Sequence, residues 1–270
     1  DVYCWGLGTG GQLGNGLAVN RYIPTKALMT AATQLKTGFA TSNGLVCAVN
    51  TSGMYCWGYG RGIGDGENAQ QNSPKKNLMT NPTLISAGRY HACATNNTGM
   101  YCWGYNSYGQ IGNGSTGIGD EFTSPTLNQM TAPTQIAISG ETTCAVNTSG
   151  LYCWGNNFAG LFGNGSSTGN STTPIKSLMT NPGQLAVKDA SCATNTTGVY
   201  CWGSNGYGDL GDGTTTANYT PQLKLMTKNP TLLARGAINA CAVNSSGTYC
   251  WGYGAYGAIG NGDLTTPITT

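Results

Sequence analysis

Charge is what this chain has least of. Asp, Glu, Lys and Arg make up 8% of its 270 residues, and 12 basic and 10 acidic side chains lie scattered around a net charge of +2. A nucleic-acid surface needs a basic stripe, so no nucleic-acid partner is expected. No apolar run approaches the ~18–20 residues of a membrane helix, which argues against membrane insertion. No secretory leader opens the chain, which therefore reads as mature material. Helical periodicity is missing from every window of about 11 residues. There is one histidine, His91. Zinc usually asks for Cys-x₂-Cys pairs or added histidines, so neither a metal nor another cofactor is expected.

Glycine and cysteine are abundant instead, with 43 and 11 copies. One stretch organises them: Cys144-Ala-Val-Asn-Thr-Ser-Gly-Leu-Tyr-Cys-Trp-Gly155. Near-copies end at Trp5, Trp57, Trp103, Trp154, Trp202 and Trp251, at intervals of 46 to 52 residues. Such a period denotes a solenoid, a propeller or a repeat array. The expected domain organisation is one repeat domain over residues 1–270, with about five and a half to six copies.

The stretch reads as a β-hairpin. Asn147-Thr-Ser-Gly150 supplies turn chemistry between two short runs of small and β-favouring residues. Five times, a cysteine before the turn is matched by one nine positions later: Cys47/Cys56, Cys93/Cys102, Cys144/Cys153, Cys192/Cys201 and Cys241/Cys250. Equal spacing across a tight turn sets the two residues opposite each other, at the short end of disulfide reach. Each bridge closes a loop of about ten residues and stabilises by ~2–3 kcal/mol on the chain-entropy model. Paired cysteines imply an oxidising compartment, hence secretion or the cell surface.

Downstream of each Trp-Gly comes an aromatic-tipped turn such as Tyr105-Asn-Ser-Tyr108, then a Gly-rich segment such as Gly11-Gln-Leu-Gly-Asn-Gly16 or Gly208-Asp-Leu-Gly-Asp-Gly213. The second copy departs, with Arg61 in place of the first glycine. No Lys-Ser/Thr follows, so the loops do not read as phosphate cradles; glycine permits close backbone approach while one apolar side chain plugs inward. A variable loop ending in Pro24, Pro74, Pro125, Pro174, Pro221 or Pro267 leads to Leu28-Met-Thr30, Leu78-Met-Thr80, Gln129-Met-Thr131, Leu178-Met-Thr180 and Leu225-Met-Thr227. One methionine per repeat is expected as core filler, and the tryptophans as blade core rather than a sugar-binding face.

In combination, Cys-Ala-x-Asn-x-x-Gly-x-Tyr-Cys-Trp-Gly, Gly-Gln-Leu/Ile-Gly-Asn-Gly and the downstream proline resemble the repeat of the regulator-of-chromosome-condensation family, in the cysteine-bearing form of secreted prokaryotic members. The resemblance covers essentially the whole chain. It implies an all-β fold: a β-propeller of six to seven four-stranded blades, or a propeller-like array of ~50-residue repeats. It also implies action through loops on a propeller face, as in a GTPase exchange factor and a β-lactamase-inhibiting propeller. The contact residues of those relatives are not carried over, because the matching positions here are scaffold ones.

The six Trp-Gly copies are matched by only five Cys-Ala half-hairpins, so Cys4 has no in-register partner and the last hairpin is incomplete. Cys4 is expected to be unpaired or to bond outside the chain, its strand completed by a neighbouring subunit or a longer chain. Asn50, Asn96, Asn147, Asn195 and Asn244 each begin Asn-x-Ser/Thr at the hairpin turn, and Asn113, Asn164, Asn170 and Asn218 begin further copies. Two readings compete: N-glycosylation, or the turn's own demand for Asn, Ser, Thr and Gly. His91 is expected to be packed or hydrogen-bonded rather than catalytic. Asp65, Asp120, Glu121 and Asp212 lie in turns and loops without repeated pairing, and Asp209 with Asp212 lacks a calcium-binding repeat.

The expected function is an extracellular, non-enzymatic structural and interaction module, in a surface filament or sheath-like assembly. The alternative is a discrete secreted propeller, an inhibitor or adhesin, binding protein or glycan through loops 17–24, 67–73, 115–124, 166–173 and 214–220. Exchange of a GTPase's nucleotide is the least favoured reading, because the disulfides place the chain outside the cell.

Overall fold

In a computed structural model, which describes residues 1–38, 44–116, 121–224 and 229–262, the chain is all-β apart from three short 3-10 turns. Its strands are β1 (Tyr3–Gly6), β2 (Arg21–Lys26), β3 (Gln34–Thr37), β4 (Leu45–Asn50), β5 (Gly53–Gly58), β6 (Gln71–Lys76) and β7 (Leu84–Ala87). They continue as β8 (His91–Asn96), β9 (Gly99–Tyr105), β10 (Glu121–Leu127), β11 (Gln135–Ser139), β12 (Thr142–Asn147), β13 (Gly150–Gly155) and β14 (Ser171–Lys176). The last are β15 (Leu185–Val187), β16 (Ala190–Asn195), β17 (Gly198–Gly203), β18 (Asn218–Leu223), β19 (Leu232–Arg235), β20 (Asn239–Asn244) and β21 (Gly247–Gly252). Among the described residues they form six sheets, each a meander of consecutive strands: β1-β2, β3 to β6, β7 to β10, β11 to β14, β15 to β18, and β19 to β21. Segments 225–228, with Leu225-Met-Thr227, and 263–270, with Pro267, lie outside the described residues.

The chain divides into two compact units, Asp1–Thr143 with Ser171–Pro174, and Cys144–Asn170 with Ile175–Thr270. In the first, the strands of the repeated hairpin are buried on both faces; β4 and β8 each run five buried residues before the terminal Asn. Double-sided burial is expected where sheets pack face to face. Leu45, Cys47, Val49, Met54 and Cys56 of one sheet meet Ile85, Ala87, Ala92, Ala94 and Trp103 of the next. Strand alternation sends Val46, Ala48 and Trp57 to the opposite face, against Val2, Ala27 and Met29. In the second unit, Ala190, Cys192, Val199 and Cys201 likewise meet Ala240, Ala242 and Trp251. In these clusters the cystine packs forward onto the next sheet and the tryptophan back onto the preceding one. Met29, Met79, Met130 and Met179 are buried, as filler residues should be.

The tryptophans do more than fill a blade. Trp57 donates its indole N–H to the Gln12 carbonyl (3.1 Å), Trp103 to Gly62 (2.8 Å), Trp202 to Leu161 (2.9 Å) and Trp251 to Asp209 (3.0 Å). Every acceptor lies in the Gly-rich turn of the preceding repeat. Two residues on from each acceptor sits a glycine at positive φ on which the indole rests: Gly14, Gly64, Gly163 and Gly211. A Cβ there would stand 2.6–2.8 Å from the indole, inside van der Waals contact. Further out, a second bond joins successive repeats. The N–H of Gly16 reaches the Asn72 carbonyl, that of Gly66 reaches Thr123, that of Gly114 reaches Thr172, and that of Gly165 reaches Tyr219.

Gly163→Ala adds a methyl group 2.7 Å from Trp202 Nε1 at φ +65°. We expect it to destabilise the fold by about 2–4 kcal/mol, from overpacking plus left-handed strain. Gly206→Ala, with nothing within 4 Å, should be near neutral in the same thermal or urea unfolding series.

Candidate functional site

At the two extremes of the repeat series the tryptophan joint is half made. Trp5 is 61% exposed, whereas Trp57, Trp103, Trp154, Trp202 and Trp251 are 0–1% exposed. Gly260 is the sixth counterpart of Gly14, Gly64, Gly163 and Gly211; those four are buried, whereas Gly260 is exposed, with nothing within 4 Å among the described residues. By the same register the acceptor for an incoming indole is the Ala258 carbonyl, and Ala258 is exposed. The outer bond would run from the N–H of exposed Gly262 to the Tyr22 carbonyl, and Tyr22 is 89% exposed. Ile23 beside it is exposed as well. Tyr22 occupies the place, two before the loop proline, held by Asn72, Thr123, Thr172 and Tyr219 in later repeats. Among the described residues, Trp5 therefore has no seat and Gly260 no indole.

Cys4 immediately precedes exposed Trp5. Strand β1 pairs only with β2 among the described residues, and Cys4 is half-buried against the cluster that holds Trp57. Burial pushes its thiol pKa up, which keeps it protonated and a weak nucleophile at neutral pH. The other ten cysteines face each other in pairs. Cys47, Cys93, Cys192 and Cys241 are in direct register with Cys56, Cys102, Cys201 and Cys250. In all five bridges, Cys144–Cys153 included, the Cα atoms are 4.1 Å apart.

The Asn-x-Ser/Thr triplets are part of the turn architecture. The Asn50, Asn96, Asn147, Asn195 and Asn244 side-chain oxygens accept the backbone N–H two residues on, at 2.8–2.9 Å. Asn113, Asn164 and Asn218 do the same at 3.1 Å, while Asn170 is simply exposed. From the other side of the amide, Asn50, Asn96 and Asn195 donate to the Thr30, Thr80 and Thr180 carbonyls.

His91 is fully buried at the head of β8, and its Nε2 lies 2.7 Å from Thr143 Oγ1. Thr143 spends its one hydrogen on the Gln110 carbonyl at 2.9 Å, so His91 must be the donor in that pair. Burial lowers its pKa to about 3. The carboxylates Asp209 and Asp212 go to separate cations. Asp209 meets Arg235 at 3.2 Å with both side chains nearly inaccessible. Burial raises the Asp209 pKa against the pull of that guanidinium, and lowers that of Arg235 to about 10. Burial alone would raise Asp212, but bonds from Thr214 and the Lys224 charge hold it below its ordinary value. Lys224, 3.8 Å away and buried, is pulled down to about 8. Asp65 lies 3.9 Å from Lys75, and Asp120 is outside the described residues. No cluster of three or more metal-ligating side chains occurs among the described residues.

A second concave feature lies wholly within the first unit: a cleft of about 290 Å³ lined by Tyr59, Arg61, Tyr90, Tyr105, Tyr108 and Glu141. The rings meet at angles, Tyr59 to Tyr90 with centroids 5.6 Å apart, Tyr90 to Tyr105 at 6.0 Å and Tyr105 to Tyr108 at 6.3 Å. Arg61 is anchored by Glu121 at 2.6 Å and lies over the Tyr105 ring, while Arg89 covers Tyr90 at 4.6 Å. Sequence reasoning marked the aromatic-tipped turn and Glu121 but missed this gathering. The available signal was the variability of these places: where one repeat has Tyr90, others have Gly44, Glu141, Asp189 or Ile238.

A sequence model of the Regulator of chromosome condensation (RCC1) repeat matches residues 1–38, 99–146 and 197–232, and a second model of that repeat matches 83–110, together just over half of the chain. This chain belongs to that family, and its fold is the family's β-propeller repeat. Among solved structures it is similar to yeast RCC1 (Prp20), crystallised bound to Kap60, with a TM-score of 0.82 at 19% identity over 99% of this chain and 69% of that one. Prp20p from Saccharomyces cerevisiae, in a study of its binding to Gsp1p and histones, matches with the same score and identity over 99% and 71%. Human WBSCR16 follows with a TM-score of 0.80 at 18% identity over 98% and 78%.

His91 makes stability depend on acid. Folding holds its pKa near 3 while the unfolded chain titrates near 6.5, so its contribution is intact above pH 6.5 and falls as pH drops toward 3. Leu45 occupies the equivalent place in the preceding hairpin. His91→Leu should therefore flatten the acid limb of a stability-versus-pH curve, by roughly 2–3 kcal/mol between pH 7 and 4.5. An unchanged limb would show that His91 charges without cost.

Proposed function

We propose that this chain is an extracellular, non-enzymatic structural module that joins copies of itself end to end. The observation that carries the reading is the half-made joint: Trp5 61% exposed, and Gly260 with nothing within 4 Å among the described residues. In a head-to-tail contact Trp5 of one copy rests on Gly260 of the next and donates to the Ala258 carbonyl, while Gly262 N–H meets the Tyr22 carbonyl. Such a heterologous contact repeats without closing unless the rotation forms a ring, so its products are filaments or rings. Exposed Tyr22 and Ile23 add apolar area to the contact. Cys4 contributes at most a covalent lock.

Five bridges placed where a reducing cytosol would open them support a location outside the cell. No helix among the described residues is long and apolar enough to cross a membrane. Sugars on the hairpin asparagines fit the same setting, since a glycosylated amide keeps one N–H for bonds such as Asn96 to Thr80. Yeast RCC1 was crystallised with Kap60 and studied for its binding to Gsp1p and histones. For this chain, the protein partner we infer is a second copy.

Light scattering and negative-stain microscopy of the oxidised chain test this. The native chain should form oligomers that persist with Cys4→Ser. Trp5→Ala and Gly260→Ala should each stay monomeric, yet their mixture should yield dimers, since one intact joint can still form. A monodisperse native monomer, or oligomers untouched by either change, would sink the proposal. Oligomers lost with Cys4→Ser alone would replace the joint by a disulfide.

A further inference from the structure

We propose that the tyrosine cleft of the first unit is a carbohydrate site that takes one or two neutral pyranose rings. The idea stands independently of self-association, because none of the six lining residues belongs to the joint described above. Four phenol rings from three separate turns converge on one hollow of about 290 Å³, a small ligand cleft by volume. The scaffold does not call for all of them: the residue two after the repeated tryptophan is Tyr59, Tyr105 and Tyr253 but Leu7, Asn156 and Ser204 in other repeats, and the place of Tyr90 is held elsewhere by Gly44, Glu141, Asp189 or Ile238.

The chemistry of the lining selects the guest. None of the hydroxyls of Tyr59, Tyr90, Tyr105 and Tyr108, nor the Glu141 carboxylate, has a hydrogen-bond partner among the described residues. Five polar groups with unused capacity suit a guest rich in hydroxyls. A carboxylate accepts from a sugar O–H, and phenols both give and accept. Arg61 is already held by Glu121, so it presents spare N–H donors without a net attraction for anions. Glu141 further disfavours an acidic guest. A cationic guest fares no better, because Arg61 and Arg89 already lie over the Tyr105 and Tyr90 rings at 5.7 and 4.6 Å. The apolar C–H face of a pyranose then has Tyr59 and Tyr108 to stack on, as in other aromatic binding surfaces that pair a flat apolar body with a polar tip.

Saturation-transfer NMR and calorimetry on the native chain, with cellobiose, maltose, lactose, chitobiose and mannobiose as probes, test the site. At least one disaccharide should bind, with its ring protons showing contacts to tyrosine ring protons. Tyr59→Ala combined with Tyr108→Ala should weaken binding at least tenfold, and Glu141→Gln about fivefold. Trp5→Ala, which disables the joint, should leave binding unchanged, so the two proposals fail separately. If a tyrosine variant proves unstable, the ring-to-ring contacts in the native chain decide alone. Absence of binding by every probe at tens of millimolar would overturn the assignment. So would affinity unaltered by the tyrosine and Glu141 changes, or capture of tetramethylammonium or a proline-rich peptide in place of the sugars.

Discussion

Everything in this fold turns on an indole lying against a glycine. A tryptophan from one sheet reaches back to the Gly-rich turn of the preceding repeat, where it finds a flat surface and a carbonyl two residues away. A large apolar ring is buried, its single polar atom is satisfied, and the register between repeats is set by the same contact. The glycine is indispensable twice over, for its left-handed backbone and for the missing Cβ. This explains why Gly-x-Leu/Ile/Phe-Gly and Tyr-Cys-Trp-Gly recur as a pair, although they belong to different sheets of the folded chain.

The cystines complement the indoles on the opposite face of each sheet. A hairpin of two six-residue strands is marginal alone, and the bridge limits its freedom before the next tryptophan covers it. The two devices together let a chain with 8% charged residues hold together with few ion pairs. The two that bury their cation are Asp209 with Arg235 and Asp212 with Lys224. Lys224 stands where earlier repeats have Asn77, Asn128 and Ser177, each of which donates to the carbonyl of its own Gly-rich turn. There a charge pair replaces a neutral capping bond.

The hairpins were legible because a spacing of nine across a four-residue turn leaves one sensible register, and the sheet class followed from short runs between turn signals. The partner of each tryptophan was not. The seat lies about forty residues earlier, and its acceptor is a main-chain carbonyl that no side chain announces. Reading the tryptophans as core was right for five of the six, Trp5 being 61% exposed, but silent on which sheets they join. The sequons carried two meanings at once, since the Asn that invites a sugar is the Asn that caps the turn. The tyrosine cleft gathers Tyr59, Tyr105 and Tyr108 from two turns after Trp-Gly and Tyr90 from the turn before β8, and no sequence pattern announces that they converge.

The most direct test is hydrogen exchange at the indole nitrogens, read by NMR with labelled tryptophan. The account predicts slow exchange for Trp57, Trp103, Trp202 and Trp251, and fast exchange for Trp5 in the dilute monomer that becomes slow as copies associate. Fast exchange at the four inner indoles, or a protected Trp5 in the isolated monomer, would contradict it.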